Sequence, residues 1–358
     1  MSADTPIAAP ILGTPPSVVT DPPRQWGPGA APNSYPDPDV VIIDTRFRSL
    51  LVGNTPIRRL WTGSLWAEGP AWCGQGRYLL FSDVGDDKQY RWTQDDGRVT
   101  VFRAPTRNSN GNSFDFQGRQ ISCEHWARRV VRYEHDGALT VIADSYDGKR
   151  LNSPNDLVPH PDGSIWFTDP SYGNSLYEGQ PDEGGSLDPR PGSPDAGDQT
   201  QTLPRAVYRV DAGGRIDKVA EGLEQPNGLC FSPDYRKLYV ADTGGGARDI
   251  KVFDVDGESL KDEHLFTDMM VDGVKCGPDG FRADVHGNLW CASNAGASGF
   301  GYSGVVVFTP DAEPLGRIRL PEACANVAFG GPKRNRLFMT ASQSLYALYV
   351  NTQGATPG

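Results

Sequence analysis

The chain lacks any surplus of basic residues: 34 Lys and Arg stand against 45 Asp and Glu, for a formal charge of −11. A nucleic-acid surface needs a basic patch to displace phosphate counterions, so this balance, with both signs interspersed, argues against that class of partner. Unbroken apolar runs are also missing. The N-terminal stretch MSADTPIAAPILGTPPSVVTDPPRQWGPGAAPNSYPDPD has neither a basic n-region nor a continuous hydrophobic segment. No secretory signal and no membrane span are therefore expected, and the cytoplasm is the expected compartment. Residues 1–40 read as a Pro-rich, poorly ordered leader, 41–350 as one domain and 351–358 as a C-terminal tail.

Several motif classes are absent too. The six cysteines, Cys73, Cys123, Cys230, Cys276, Cys291 and Cys324, form no CxxC pair, which argues against a zinc or redox centre. Several lie in apolar, strand-like runs and read as buried thiols of a reducing compartment. There is no GxSxG elbow, HExxH helix or P-loop, so covalent serine hydrolysis, zinc proteolysis and nucleotide hydrolysis lack their motifs. GFGYSG at residues 299–304 matches a dinucleotide-type glycine spacing, but no helical pattern follows and it reads as a loop. Helical periodicity is scarce throughout, because 42 Gly and 30 Pro punctuate the chain, and this favours many short strands.

What is present is a repeat. Six segments share a polar residue beside a small or turn-forming one, then a short apolar run, a Gly/Asp turn and a second apolar run. They are EGPAWCGQGRYLLFSD, NGNSFDFQGRQISCE, NDLVPHPDGSIWFTD, NGLCFSPDYRKLYVAD, DGFRADVHGNLWCAS and NVAFGGPKRNRLFMTA. Their first residues, Glu68, Asn110, Asn155, Asn227, Asp279 and Asn326, are 42, 45, 72, 52 and 47 residues apart, near the period of a four-stranded propeller blade. Each segment reads as a hairpin that forms the two inner strands of a blade. The spacing thus predicts an all-β, six-bladed propeller rather than a sandwich. The long third interval is explained by residues 173–204, a Gly/Pro/Asp-rich insertion read as a loop over one channel mouth. Too little chain follows the sixth hairpin for a whole blade, so residues near 57–63 are expected to complete it and close the ring.

Equivalent repeat positions converge on a propeller's axis, and here all six offer a side-chain oxygen. A ring of carboxylates and amides without thiol or imidazole suits a hard divalent cation, Ca²⁺ first, with Mg²⁺, Mn²⁺ and Zn²⁺ as alternatives. Glu68, Asn155, Asn227 and Asp279 are the expected ligands. The competing reading is that these groups only hydrogen-bond one another and channel water, although buried carboxylates without a counter-charge are costly. Asp83, Glu124, Asp169 and Asp242 recur at the end of the second strand in four repeats, where they either line a pocket or bind neighbouring backbone amides.

On EGPAW at Glu68, NSPND around Asn155, QPNGLCFSPD around Asn227 and PDGFRADVHGNLW around Asp279, the chain resembles the regucalcin and gluconolactonase family over residues 55–350. Within it the chain is most similar to bacterial gluconolactonases, with paraoxonases and calcium-dependent phosphotriesterases more distant. The resemblance implies a six-bladed propeller that hydrolyses a sugar lactone, of the glucono-1,5-lactone type, with the help of a divalent ion. It gives the proton-transfer role to Asp279, with Asp156 and His125 as the other candidates. His125 lies where paraoxonases carry a histidine pair, of which only the second member is matched. Asn110, Asn155 and Tyr172 are the expected substrate contacts, and Tyr172 and Tyr177 either stack on a sugar ring or anchor the insertion. The same ion could serve a phosphotriesterase or aryl esterase, and fold alone leaves open a non-enzymatic binding module.

Overall fold

The computed structural model describes residues 24–27, 29–174, 178, 203–246, 248–296 and 301–355. Each repeat segment folds as an antiparallel hairpin, and a third and fourth strand extend it outward into a blade. Blade 1 is Ala67–Cys73, Tyr78–Asp83, Lys88–Thr93 and Val99–Arg103, hydrogen-bonded in that order. Blades 2, 3 and 4 follow the same order from inner strands Ser109–Phe114, Leu157–Pro159 and Pro226–Phe231. Blade 5 starts at Gly277–Ala283 and gains a fifth, outermost strand, Val40–Ile42, paired with Pro314–Arg319. Blade 6 holds Cys324–Gly330, Arg336–Ala341 and Ser344–Tyr349, and Arg58–Thr62 pairs with the last of these as its outer strand. The ring is thus a six-bladed propeller closed by an N-terminal strand, as the leftover IRRLWTG segment predicted.

Within the expected leader, Arg24 donates to the carboxylates of Asp37 and Asp39 at 2.9–3.0 Å, and Trp26 packs edge-on against Tyr346. Residues 1–23, Tyr177 and most of the 173–204 insertion lie outside the described residues. All six cysteines are free and buried.

The apolar core is divided among the seams between blades. Trp166 packs edge-on to Phe231 across blades 3 and 4, and Trp72 stacks on Phe338 across blades 1 and 6. Burying each such ring contributes about 2–3 kcal/mol. The seam between blades 1 and 2 differs: its apolar part is only Ala71, Cys73, Phe114 and the half-buried Tyr78. A hydrogen-bonded network fills the remainder. Asn112, fully buried, shares its amide N–H groups among Gly69 O, Ser82 Oγ and Asn110 O at 2.9–3.0 Å. Its Oδ1 accepts from Gln89, Gln120 and Ser122 at 2.8–3.2 Å. A buried network is tolerable only when its members are satisfied, and Asn112 is saturated.

Candidate active site

Two local devices aim the six repeat positions at the axis. The first is a register shift near the start of an inner strand, seen between Glu68 and Ala71, Ser109 and Asn112, Pro226 and Leu229, and Pro278 and Phe281. Such bulges re-aim side chains where regular pairing would bury them in the sheet. The second is close approach of neighbouring inner strands, which explains why glycine follows four of the six positions. A β-carbon on Gly69 would lie 2.0 Å from the Asn110 carbonyl oxygen, and one on Gly280 would lie 1.9 Å from Asn326 Cγ.

Carboxylates at the ends of the second strands then lock the incoming loops. Asp83 accepts from the N–H groups of Leu65 and Trp66, Asp169 from Asn152 and Ser153, and Asp242 from Glu224 and Gln225, all at 2.8–3.1 Å. Trp66, Ser153 and Gln225 each lie two residues before an axial residue, namely Glu68, Asn155 and Asn227. These three aspartates bind backbone amides and act on the site through its scaffold. Glu124 instead pairs with Arg129 at 2.6 Å.

Five of the six repeat positions, Glu68, Asn110, Asn155, Asn227 and Asp279, line one cavity of about 340 Å³. Tyr172 joins them, its hydroxyl hydrogen-bonded to Thr243. Its pKa is raised, mainly by burial. Glu68 is 4% exposed and accepts from its neighbour Gly69 N–H at 2.9 Å. Burial, reinforced by the charge of Asp156, raises its carboxyl to about 7. Asp279 is pushed up by burial and then by Glu68, Asp156 and Glu178, against a hydrogen bond with Asn227 that lowers it. Its Oδ1 is buried and without a hydrogen-bond partner among the described residues.

The sixth position, Asn326, is not on the cavity wall but still reaches the axial acids, hydrogen-bonding the Glu68 carboxyl. Asn326 donates to Asp156 Oδ2 at 3.3 Å, and Arg282 reaches the same oxygen at 3.4 Å. Asp156, 1% exposed, thus lies outside the cavity wall in a buried cluster with an arginine and an amide. His125 is fully buried beside Gly173 and also lies off the wall. Its Nδ1 is 3.5 Å from Glu178 Oε2, and burial lowers the imidazole to about 3, so it is neutral.

Sequence reading did not find Trp66, Glu178, Thr243, Arg248 or Asn294, which complete the wall. Asn294 ends the second strand of blade 5, Leu289–Asn294, and the other four lie between strands; no residue type recurs at these positions from blade to blade, so no periodicity marks them. Glu178 is raised to about 8, first by burial and then by the charge of Glu68.

Among the described residues no three His, Cys, Asp or Glu side chains cluster as a metal site. Any cation here would need the amides of Asn155 and Asn227 beside the two carboxylates. The donors fit a hard cation: all are oxygens, the Asp279 oxygen is orphaned among the described residues, and both carboxyls are raised by burial and then by neighbouring negative charge.

A family model described as SMP-30/Gluconolactonase/LRE-like region matches residues 66–343. The gluconolactonase of Zymomonas mobilis subsp. mobilis is 30% identical over 330 residues, spanning 86% of this chain and 85% of that one. A solved gluconolactonase from Xanthomonas campestris is 33% identical with a TM-score of 0.75, covering 91% of this chain and 99% of that one. The calcium-binding regucalcin of Agrobacterium tumefaciens, 21% identical with a TM-score of 0.64 over 83% of this chain and 94% of that one, shares the fold.

Proposed function

The chain belongs to the SMP-30/gluconolactonase/LRE-like family and is a lactone-hydrolysing enzyme, and from that premise we propose that it opens a sugar lactone of the glucono-1,5-lactone type to its aldonic acid in the central cavity. One divalent cation would be held there by Glu68, Asn155, Asn227 and Asp279, with Ca²⁺ favoured because every donor is a carboxylate or amide oxygen. The observation that carries the reading is the convergence of five repeat positions on one cavity. The cavity's volume of about 340 Å³ also suits a single hexonolactone.

A lactone is an ester held in a strained, reactive geometry, so its hydrolysis needs a polarised carbonyl, an activated water and a proton for the departing alkoxide. When bound, the cation supplies the carbonyl polarisation as a Lewis acid. Asp279 is the base that takes the water's proton, and it returns that proton to the ring oxygen as the ester C–O bond breaks. Of the three candidates it alone faces the cavity, and its Oδ1 has a free lone pair there. Asn227 hydrogen-bonds Asp279 and orients it. Glu178, whose carboxyl is raised to about 8 by burial and then by the Glu68 charge, would donate a hydrogen bond to a substrate oxygen while it holds its proton. Asn110, Asn155 and the Thr243-anchored Tyr172 contact the sugar ring. Asp156 and His125 support from outside the wall, the first by fixing Asn326 and the second by packing under the Tyr172 turn.

Turnover of glucono-1,5-lactone and of an aryl phosphotriester by the wild type and by Asp279→Asn tests the assignment. The lactone should be the better substrate, and the variant should lose about 100-fold or more in kcat while keeping its Tm. A variant that keeps its lactone turnover removes Asp279 as the base, and preference for the phosphotriester replaces the substrate class.

A further inference from the structure

Arg248 is the one basic side chain among the described residues that line the cavity, which otherwise carries the acids Glu68, Glu178 and Asp279. It immediately precedes the third strand of blade 4, Asp249–Asp256, and is exposed. Its stem lies against the segment that delivers Asp279: Arg248 Cδ is 3.9 Å from where a β-carbon of Gly277 would stand. Its backbone is held at φ 45, in the left-handed region that an arginine adopts only at a cost. Among the described residues no carboxylate pairs with it, whereas Arg282, deeper at the axis, faces Asp156.

This leaves one cation unaccounted for in the reaction as proposed. The ring hydroxyls of a neutral lactone are served by the amides of Asn110, Asn155 and Asn294 and by Tyr172, all on the cavity wall. Glu68 and Asp279 would be balanced by the cation proposed above. A guanidinium without a partner among the described residues, at the edge of a concave polar site, presents the planar donor fork that binds phosphate or sulfonate oxygens in pairs. We infer that Arg248 selects an aldonolactone carrying a terminal oxyanion, phosphate or sulfonate, on the carbon farthest from the lactone carbonyl. The inference rests on the lactonase reading and narrows its substrate class.

The test compares kcat/KM for glucono-1,5-lactone, its 6-phosphate and its 6-deoxy-6-sulfo analogue, in the wild type and in Arg248→Asn. Asparagine tolerates the left-handed backbone, so the substitution removes the charge without adding strain. In the wild type at least one anionic lactone should exceed the neutral one by about tenfold or more, and the variant should lose that ratio through KM. A ratio near one in the wild type, or one unaltered by the substitution, overturns the inference while the lactonase reading stands. A second arm does not depend on turnover: calorimetric binding of gluconate and of its 6-phosphate, two stable acids that differ only in the terminal group. Tighter binding of the phosphate to wild type than to Arg248→Asn supports Arg248 even if no lactone is hydrolysed. Equal binding overturns it.

Discussion

Glu68→Gln should stabilise the metal-free protein while abolishing its response to metal. In the fold the Glu68 carboxyl is raised from an ordinary 4.5 to about 7, chiefly by burial. That displacement corresponds to about 3 kcal/mol against the ionised form. Between pH 4.5 and 7 the folded chain holds this proton and the unfolded chain does not, so stability falls as pH rises through that window. Below pH 4.5 the penalty is absent, and above pH 7 it is fully present. Glutamine keeps an oxygen for the Gly69 N–H, bonded at 2.9 Å, and has no charge to desolvate. Metal-free Glu68→Gln should therefore melt higher than wild type at pH 8 by on the order of 5 °C, with the gap closing towards pH 4.5. Added Ca²⁺ should raise the wild-type Tm and leave the variant nearly unmoved, because a carboxylate ligand is gone. Thermal melts across pH 4.5–8, in chelator and in Ca²⁺, give both results. A variant less stable than wild type in chelator at pH 8, or equally stabilised by Ca²⁺, would refute the reasoning.

As a proposed ligand the same carboxyl would link metal affinity to pH: a cation would have to displace the Glu68 proton below about 7, so apparent affinity should rise by about tenfold from pH 6 to 8. Calorimetry in buffers of different ionisation enthalpy should detect the released proton, and a pH-independent affinity would contradict the assignment. Asp242→Asn unlatches Glu224 and Gln225 from the loop before Asn227, and should weaken metal binding by about tenfold or more without touching a ligand. Asn112→Leu removes the hub of the polar seam and strands Gln89, Gln120 and Ser122, so it should cost about 3 kcal/mol or more in a denaturant titration.

The architecture was legible because it repeats. Six polar residues at blade-like intervals predicted six blades, and the unused IRRLWTG segment predicted the closing strand, which the structure places at Arg58–Thr62. The fifth strand of blade 5 was not legible: Val40–Ile42 is three residues long and carries no repeat signal. In the axial ring, glycine follows four of the six positions because neighbouring strands leave no room for a β-carbon.

The site was legible only as far as the repeat reaches. Equivalent positions need not reach the same space: Asn326 is engaged by Asp156 and Glu68 and stays off the cavity wall. His125 was a candidate because it lies where paraoxonases carry the second of a histidine pair, but Gly173 packs against its ring and only the fold shows it. Glu178 and Arg248 come from loops whose course no periodicity dictates, and the sequence marks neither of them.

The most direct test of the central claim is the initial rate of D-glucono-1,5-lactone hydrolysis, followed by proton release, for protein stripped with chelator and resupplied with Ca²⁺, Mg²⁺, Mn²⁺ or Zn²⁺. The account predicts that activity is lost on stripping and restored by a divalent ion, Ca²⁺ foremost, in wild type but not in Glu68→Gln. Full turnover in the stripped protein, or none above background with any of the four ions, would contradict it.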